Sequence, residues 1–197
     1  MRGHTYGTAA GSLDSAHAVF GSSSANQVGA AGERRTAALL DRVAAAENGP
    51  TVLHDLRIPG ARANLDHVVV SGADVWLLDT KVWRPGFYMT VFGNTWRLGG
   101  AGIARFAPGD KRTLPMAAKA IQAHLDAAGT RGRVRGSALV IWPSSTTPRS
   151  LRLWAYRPKE ARALSEQGLR RLLRTTARPA DPFVVSALVP LLIVEGR

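Results

Sequence analysis

The chain has 197 residues, of which 45% are hydrophobic, so it is long enough for one domain with a buried core. It contains no cysteine, which excludes disulfides and thiolate metal sites and leaves oxygen or imidazole atoms as metal ligands. Its 26 basic residues exceed its 14 acidic ones, giving a formal net charge of +12. Such an excess attracts phosphates, so we expect a polyanionic partner such as nucleic acid, although arginine-rich composition is also what a GC-rich coding bias produces.

The first residues include no long apolar run after a basic residue, so no secretory signal is predicted and we expect a cytoplasmic protein. Residues 1–26 are rich in Gly, Ser and Ala without sustained periodicity, which predicts a flexible leader before a single domain over residues 27–197. A first helix is predicted from Gln27 to about Glu47, followed by a strand over Thr51–Ile58.

A β-hairpin is predicted where two runs rich in Val, Leu and Trp flank the polar tetrad Ser71–Asp74. Both faces of this strand pair are apolar: Val68, Val70, Val75 and Leu77 form one face, and Val69, Trp76 and Leu78 form the other. A strand pair that is apolar on both sides belongs in the middle of a sheet covered by helices. We therefore predict an α/β fold with a central mixed β-sheet flanked by helices.

The rest of the chain is divided by its prolines, glycines and apolar patterning. The predicted segments are a strand or strand pair within Phe87–Leu98, a loop over Gly99–Asp110, a helix from Pro115 to Gly129, a basic turn at Arg131–Arg135, strands at Ser137–Trp142 and Leu151–Tyr156, and a basic helix over Pro158–Arg174. The apolar tail Phe183–Val194 is short of the ~20 residues that cross a bilayer. We expect it to close the core, with membrane or partner contact as the alternative.

The hairpin register brings two acids together. If Val70 pairs with Val75 without a bulge, Asp66 faces Asp79. Directly opposed side chains have Cβ atoms about 5 Å apart, and two carboxylates there repel by about 3 kcal/mol at an effective dielectric constant near 20. A cation would turn this repulsion into attraction, and Mg²⁺ is commonly held by one or two carboxylates plus a substrate phosphate. Because side chains alternate along a strand, Lys81 emerges on the same face as Asp79.

Three segments in order resemble the nuclease-related domain (NERD) family, a branch of the PD-(D/E)xK nuclease superfamily. They are Gly29-Ala30-Ala31-Gly32-Glu33, Asn64-Leu65-Asp66-His67-Val68-Val69-Val70 and Leu78-Asp79-Thr80-Lys81-Val82-Trp83. The resemblance covers about residues 29–142 and leaves residues 143–197 as a C-terminal extension. It implies a restriction-endonuclease-like core and a Mg²⁺- or Mn²⁺-dependent nuclease, with DNA as the expected substrate and RNA as the weaker candidate.

The resemblance also implies roles for individual residues. Asp66 and Asp79 would be the metal ligands, Lys81 would orient the attacking water or stabilise charge on phosphorus, and Glu33 would be an accessory acid. Asp79 stands where the superfamily often has Glu, and the downstream helix lacks a clear Gln at the family position. This leaves Lys119 and Gln122 as candidate phosphate contacts.

Other interpretations stay open. A catalytically inactive nucleic-acid-binding module of the same fold would keep the charge without the chemistry, and Arg131, Arg133 and Arg135 are candidate contacts to a nucleic-acid backbone. His67 lies on the opposite face from Asp66, so we interpret it as a packed or hydrogen-bonded core residue. We expect neither a small-molecule cofactor nor a membrane partner.

Overall fold

The computed structural model describes residues 3–11, 24–107, 112–145 and 151–193. Its strands are β1 (Thr5–Tyr6), β2 (Thr51–Arg57), β3 (Asn64–Ser71), β4 (Asp74–Trp83), β5 (Gly86–Val91), β6 (Asn94–Gly99), β7 (Gly102–Phe106), β8 (Arg133–Pro143), β9 (Leu151–Ala155) and β10 (Arg162–Leu164). Its α-helices are α1 (Ser24–Ala44), α2 (Thr113–Ala127), α3 (Glu166–Thr176) and α4 (Pro182–Leu188), and a 3-10 helix follows at Val189–Leu191.

The main sheet has six strands in the order β1-β2-β3-β4-β8-β10. The β2-β3 and β3-β4 pairs are antiparallel, and the β1-β2, β4-β8 and β8-β10 pairs are parallel. Strands β3 and β4 are central, as their two apolar faces predict. The predicted α/β class, with a central mixed sheet flanked by helices, is confirmed.

Each face of the main sheet has its own apolar core. On one face, Val68, Val70, Val75 and Leu77 pack against Leu114, Ala117, Ile121 and Leu125 of α2 and against Val184, Val185 and Leu188 of α4. On the other face, Val52, Val69, Leu78, Val140 and Trp142 pack against Leu39, Leu40 and Ala44 of α1 and Leu169 and Leu173 of α3. Complete burial of one such large aliphatic side chain contributes about 1.5–3 kcal/mol to folding.

The predicted hairpin register is confirmed over the paired part of β3 and β4. Val70 pairs with Val75, Val69 with Trp76, and Val68 with Leu77, without a bulge. The pairing ends at His67 and Leu78, one residue before the predicted Asp66–Asp79 pair. The predicted direct pairing of Asp66 with Asp79 is therefore not present. On its other edge, β4 pairs with β8 from Asp74 to Trp83, and there Asp79 pairs with Leu139 and Lys81 with Ile141.

A second sheet, which we call the small sheet, has the strand order β7-β6-β5-β9. Its inner face packs on the α2 side of the main sheet, where Tyr88, Phe106 and Tyr156 surround the ring of Trp83 with ring centroids 4.8 to 5.2 Å away. Trp83 and Trp142 are both buried, whereas Trp96 of β6 is half-buried.

Several predicted segments differ from the structure. The predicted loop Gly99–Asp110 is wrong over Gly102–Phe106, which is β7 and pairs with β6. The predicted basic turn is also wrong, because Arg133 and Arg135 lie in β8. The predicted helix over Pro158–Arg174 begins only at Glu166, after β10, because the side chain of Ser165 accepts a hydrogen bond from Gly168 N and caps the helix there.

The ends of the chain are partly integrated into the fold. Within the predicted leader, β1 pairs with β2, while residues 1, 2 and 12–23 lie outside the described residues. The apolar tail forms α4 and the 3-10 helix and contributes to the core, as predicted, although Val194 is not among the described residues. In the described ranges, every helix is too short or too polar to cross a membrane.

Candidate active site

Four acidic or basic side chains interact where the β3-β4 pairing ends. Asp66 comes from β3, Asp79 and Lys81 come from β4, and Glu33 comes from α1. Asp66, Asp79 and Lys81 belong to the same alternating set as Val68, Val70, Val75 and Leu77, so their side chains emerge on the α2 side of the sheet. We call these four residues the acidic cluster.

The carboxylate of Asp66 holds the two strands together beyond their last backbone pair. Its Oδ2 atom accepts a hydrogen bond from the backbone N–H of Thr80 at 2.6 Å. A buried backbone N–H without a partner costs about 1–3 kcal/mol, so this bond explains how the strands separate without an orphaned donor. The separation also means that Asp66 reaches β4 with its side chain rather than with its backbone.

Asp79 and Lys81 form a close ion pair. Lys81 Nζ lies 2.7 Å from Asp79 Oδ2, and the two side chains are 30% and 9% exposed, respectively. Burial alone lowers the pKa of Lys81, but the charges of Asp79, Asp66 and Glu33 outweigh it, so the pKa of Lys81 lies above its usual value. Lys81 is therefore a permanent cation at neutral pH.

The cluster carries more acid than base. Burial is the largest cause that raises the pKa of Asp66 well above its usual value, and the charges of Asp79 and Glu33 raise it further. Lys81 and the Thr80 N–H lower that pKa but do not cancel the increase. Although Asp66 retains some accessible surface, its carboxyl is therefore largely desolvated and faces an unbalanced negative charge.

Glu33 reaches this cluster because α1 lies very close to β4. A Cβ atom on Gly32 would stand only 2.4 Å from Val82 Cγ2, so only glycine permits this approach. The neighbouring residue, Glu33, then acts electrostatically on both Asp66 and Lys81. In the Gly32-Glu33 segment of α1, the glycine thus allows the helix to approach β4 and the glutamate adds negative charge to the cluster.

The donor set fits a divalent cation of the Mg²⁺ type. Two carboxylates on one face supply hard oxygen ligands, and the raised pKa of Asp66 marks a place where another positive charge is favourable. Within the described ranges, no group of three or more His, Asp or Glu side chains has the arrangement of a metal site. The fit therefore rests on two carboxylates, a number that suits Mg²⁺ because this ion retains several waters.

Asp79 opens into a cavity of about 260 Å³ between the two sheets. Thr90 and Thr95 of the small sheet line the cavity, as do Thr113 at the start of α2 and Arg157 and Lys159 after β9. Arg157 and Lys159 are exposed cations. Lys159 lies in the segment that was predicted to be helical, Arg157 directly precedes it, and neither is among the predicted site residues. The cavity therefore joins a carboxylate of the cluster to a basic rim.

A buried polar network on the opposite face supports Thr80. His54 and His67, which are directly opposed on β2 and β3, approach to 2.8 Å between their Nδ1 atoms. His54 Nε2 contacts Asp41 Oδ1 at 2.9 Å, and His67 Nε2 contacts Thr80 Oγ1 at 3.3 Å. The prediction that His67 is a hydrogen-bonded core residue is confirmed.

The network continues from Thr80 to α1 and β8. Thr80 Oγ1 donates to Thr36 Oγ1 at 2.9 Å, and Trp142 Nε1 donates to the same oxygen at 2.8 Å. Thr80 is thus held on one side by this network and on the other by Asp66, between the two β4 residues of the cluster. This role of Thr80 was not predicted, although alternation along β4, which places Thr80 on the opposite face from Asp79 and Lys81, is a signal that could have indicated it.

The other predicted contacts lie away from the cluster. Arg133 and Arg135 are near the opposite end of β8, roughly 13–20 Å along the strand from Leu139 at ~3.3 Å per residue. They form ion pairs with Asp126 and Asp74, each at 3.3 Å. Arg131 and Lys119 are exposed, and their contact with nucleic acid stays a prediction.

Gln122 has a structural role. Its amide Nε2 donates to Gly132 O at 3.2 Å, and its Oε1 accepts from Val134 N at 2.9 Å, so it fastens α2 to the start of β8. A phosphate contact from Gln122 would compete with these bonds.

The mixed sheet between helices, with acids and a lysine at the end of its central hairpin, defines a nuclease-like α/β protein. A model of the nuclease-related domain family matches residues 28–140, more than half of the chain, and the chain belongs to this family. No curated protein and no solved structure gives a significant match. The family match begins before Glu33 and ends in β8, so it contains the whole acidic cluster.

Proposed function

We propose that this protein is a metal-dependent nuclease that hydrolyses phosphodiester bonds, with DNA as its expected substrate and RNA as the weaker candidate. The observation that carries the proposal is the acidic cluster: two carboxylates and a permanently charged lysine share one face of the main sheet, and one of the carboxylates, Asp79, lines a cavity. Membership of the nuclease-related domain family supports the same chemistry.

Asp66 and Asp79 would hold Mg²⁺ or Mn²⁺, with Glu33 as an accessory acid. When bound, such an ion polarises the phosphate and makes a coordinated water nucleophilic near neutral pH. The protein supplies the orientation: Thr80 N–H fixes one carboxylate and Lys81 fixes the other, so both are in place before substrate arrives.

Lys81 stabilises the negative charge that grows on the phosphoryl oxygens in the transition state. Its raised pKa makes it unsuitable as a general base at neutral pH, so an electrostatic role is the one its environment favours. Removing one preorganised donor of this kind typically costs a factor of about 10²–10³ in rate.

The substrate is drawn to the site by charge. The net charge of +12 attracts a polyanion over long range, and Arg157 and Lys159 at the cavity rim lie where phosphates next to the scissile bond would pass. Each of these two cations would contribute affinity through counterion release rather than sequence preference.

A second candidate is a nucleic-acid-binding module of the same fold without catalysis. One observation favours it: each aspartate already has a partner inside the protein, Asp66 with Thr80 N–H and Asp79 with Lys81. In this alternative the cluster would be structural, and the basic surface would bind nucleic acid without cutting it.

A cleavage assay separates the two candidates. Purified protein is incubated with supercoiled plasmid, or with RNA of defined length, in Mg²⁺, Mn²⁺ or EDTA. We expect cleavage that requires the metal and falls on the order of 10²-fold or more in Asp79→Asn and Lys81→Met. Glu166→Gln is the matched control, because it removes an exposed acid from α3 that makes only an i,i+4 ion pair.

Cleavage that survives both cluster substitutions would come from another site or a contaminant and would refute the proposal. Metal-independent binding by the wild type, with no cleavage of either substrate, would establish the second candidate instead.

A further inference from the structure

The small sheet has a second apolar face, which points away from the core. Its seven apolar members are Phe87, Met89, Val91, Trp96, Leu98, Ile103 and Trp154, and alternation along the strands and cross-strand pairing place them together. Phe87 pairs with Leu98 and Leu98 with Ile103, while the rings of Phe87 and Trp154 lie 5.0 Å apart. We call this set, together with Arg105 and Arg152, the outer face.

The outer face is exposed in the described structure. Trp154 is 71% exposed, Val91, Leu98 and Ile103 are exposed as well, and none of the apolar members is among the described side chains that form or pack against the two cores. Exposed large apolar side chains that lie together, with the half-buried rings of Phe87 and Trp96 among them, mark an interaction site.

The charge on this sheet selects the partner. Its four strands contain the arginines Arg97, Arg105 and Arg152 and no acidic residue. Two of these arginines lie on the outer face, because Arg152 pairs with Phe87 and Arg105 with Trp96. Aromatic rings for bases, interleaved with cations for phosphates, are the chemistry by which a sheet binds single-stranded nucleic acid.

The outer face and the cavity at Asp79 lie on opposite sides of the β5-β6 hairpin, whose turn adjoins both. Thr90 and Thr95 on the inner side of β5 and β6 line that cavity, and so does Gly93 in the turn between these strands. Phe92 lies in the same turn and is fully exposed. A nucleic-acid chain bound on the outer face would therefore have to pass only the β5-β6 turn to reach Asp79.

We propose that the outer face binds single-stranded nucleic acid by base stacking and delivers it to the acidic cluster. The proposal rests on the proposed nuclease function and adds the substrate class: a single strand or a single-stranded end rather than a continuous duplex. Bases in a duplex are stacked on each other and cannot use Trp154 in this way, so the outer face discriminates between the two forms.

The test is binding of a fluorescein-labelled 20-nucleotide oligothymidylate and of a 20-base-pair duplex by the full chain, measured by anisotropy in EDTA. We expect Trp154→Ala to weaken single-strand binding roughly tenfold and duplex binding less than twofold, and Trp154→Phe to restore most of the affinity. Phe183→Ala is the matched control, because Phe183 is a 76% exposed aromatic on α4, away from the small sheet.

Single-strand binding by Trp154→Ala that equals that of Phe183→Ala would overturn the proposal. So would equal losses for single strand and duplex, or a dimer of the wild type that Trp154→Ala disrupts, since the outer face would then serve a second copy of the chain. Because EDTA removes catalysis from the measurement, failure of the nuclease proposal appears in the cleavage assay alone and is distinguishable from failure of this one.

Discussion

The ion pair between Lys81 and Asp79 gives the most quantitative prediction. At the observed 2.7 Å and an effective dielectric constant of about 20, two unit charges attract by about 6 kcal/mol before desolvation. Breaking a buried pair by removing one partner costs about 3–5 kcal/mol, whereas an exposed pair contributes less than about 1. Lys81 is 30% exposed, so we expect Lys81→Met to lower the free energy of unfolding by about 2–3 kcal/mol at pH 8.

The assay is urea unfolding followed by the fluorescence of the five tryptophans, in EDTA at pH 8. For a chain of this size, the loss corresponds to a melting temperature lower by roughly 4–12 °C. The double variant Lys81→Met/Asp79→Asn should be more stable than Lys81→Met alone, because it no longer contains an unpaired buried carboxylate. The coupling energy from the double-mutant cycle should exceed about 1 kcal/mol.

A coupling energy within about 0.5 kcal/mol of zero would refute the reasoning, because residues without interaction are additive to that precision. Circular dichroism of each variant establishes that the comparison is made between folded proteins.

Two further predictions concern buried groups whose pKa is shifted. Asp66→Asn keeps an oxygen for Thr80 N–H and removes a buried charge. Because the folded-state pKa of Asp66 is raised above 3.8, the wild type loses stability as the pH rises from 3.8 through that pKa. The variant should therefore be more stable than the wild type at pH 8, by about 1.4 kcal/mol for each unit by which the pKa is raised. Urea unfolding at pH 8 without metal is the measurement, and an Asp66→Asn variant that is less stable than the wild type would contradict the prediction. For His67, burial and the charge of His54 lower the pKa well below 6.5, so below about pH 6.5 the unfolded chain binds a proton that the folded one does not, and stability falls. In His67→Gln the fall between pH 6.5 and 5 should be shallower by up to about 1.4 kcal/mol per pH unit, and parallel curves for the two proteins would contradict the assignment.

The central hairpin was predictable because its register follows from period-two patterning. Val68, Val70, Val75 and Leu77 can be buried together in only one register, and a slip by one residue would move all of them to the other face. The same patterning predicted that Asp66 and Asp79 share a face and interact, and the charge of Asp79 does raise the pKa of Asp66, although the two residues are not directly paired. It did not predict that the backbone pairing stops at His67 and Leu78, beyond which the carboxylate of Asp66, rather than the backbone of β3, accepts the hydrogen bond of Thr80 N–H.

The errors have particular causes. Arg133 and Arg135 alternate with Val134 and Gly136, which is a strand pattern, but three arginines in a short stretch also resemble a solvated turn. In β7 the strand Gly102–Phe106 has only Ile103 and Phe106 as large apolar residues, and it pairs by its backbone with β6. Proline is common in the first turn of a helix, so Pro158 led to a helix start that was placed too early. The N-cap is Ser165, whose hydroxyl accepts a hydrogen bond from Gly168 N.

The charged residues of the site could be predicted from the sequence, but the hydrogen-bond network that holds Thr80 could not. Glu33, Asp66, Asp79 and Lys81 are visible in the sequence, while the network that holds Thr80 joins residues from β2, β3, α1 and β8. Only the fold shows that His54 opposes His67 and that Trp142 reaches Thr36.

The central claim is that Asp66 and Asp79 form one divalent-cation site, and cation binding tests it most directly. A trace of contaminating nuclease can produce cleavage, but it cannot produce stoichiometric binding to milligram amounts of protein. Mn²⁺ is titrated into the apo protein, and free aqueous Mn²⁺ is measured by electron paramagnetic resonance, with Mg²⁺ as the competitor. We predict one site in the wild type, weakened at least tenfold in Asp66→Asn and in Asp79→Asn and retained in Lys81→Met and Glu166→Gln. Mn²⁺ affinity in Asp66→Asn and Asp79→Asn equal to that of the wild type would contradict the claim that these two carboxylates form one divalent-cation site.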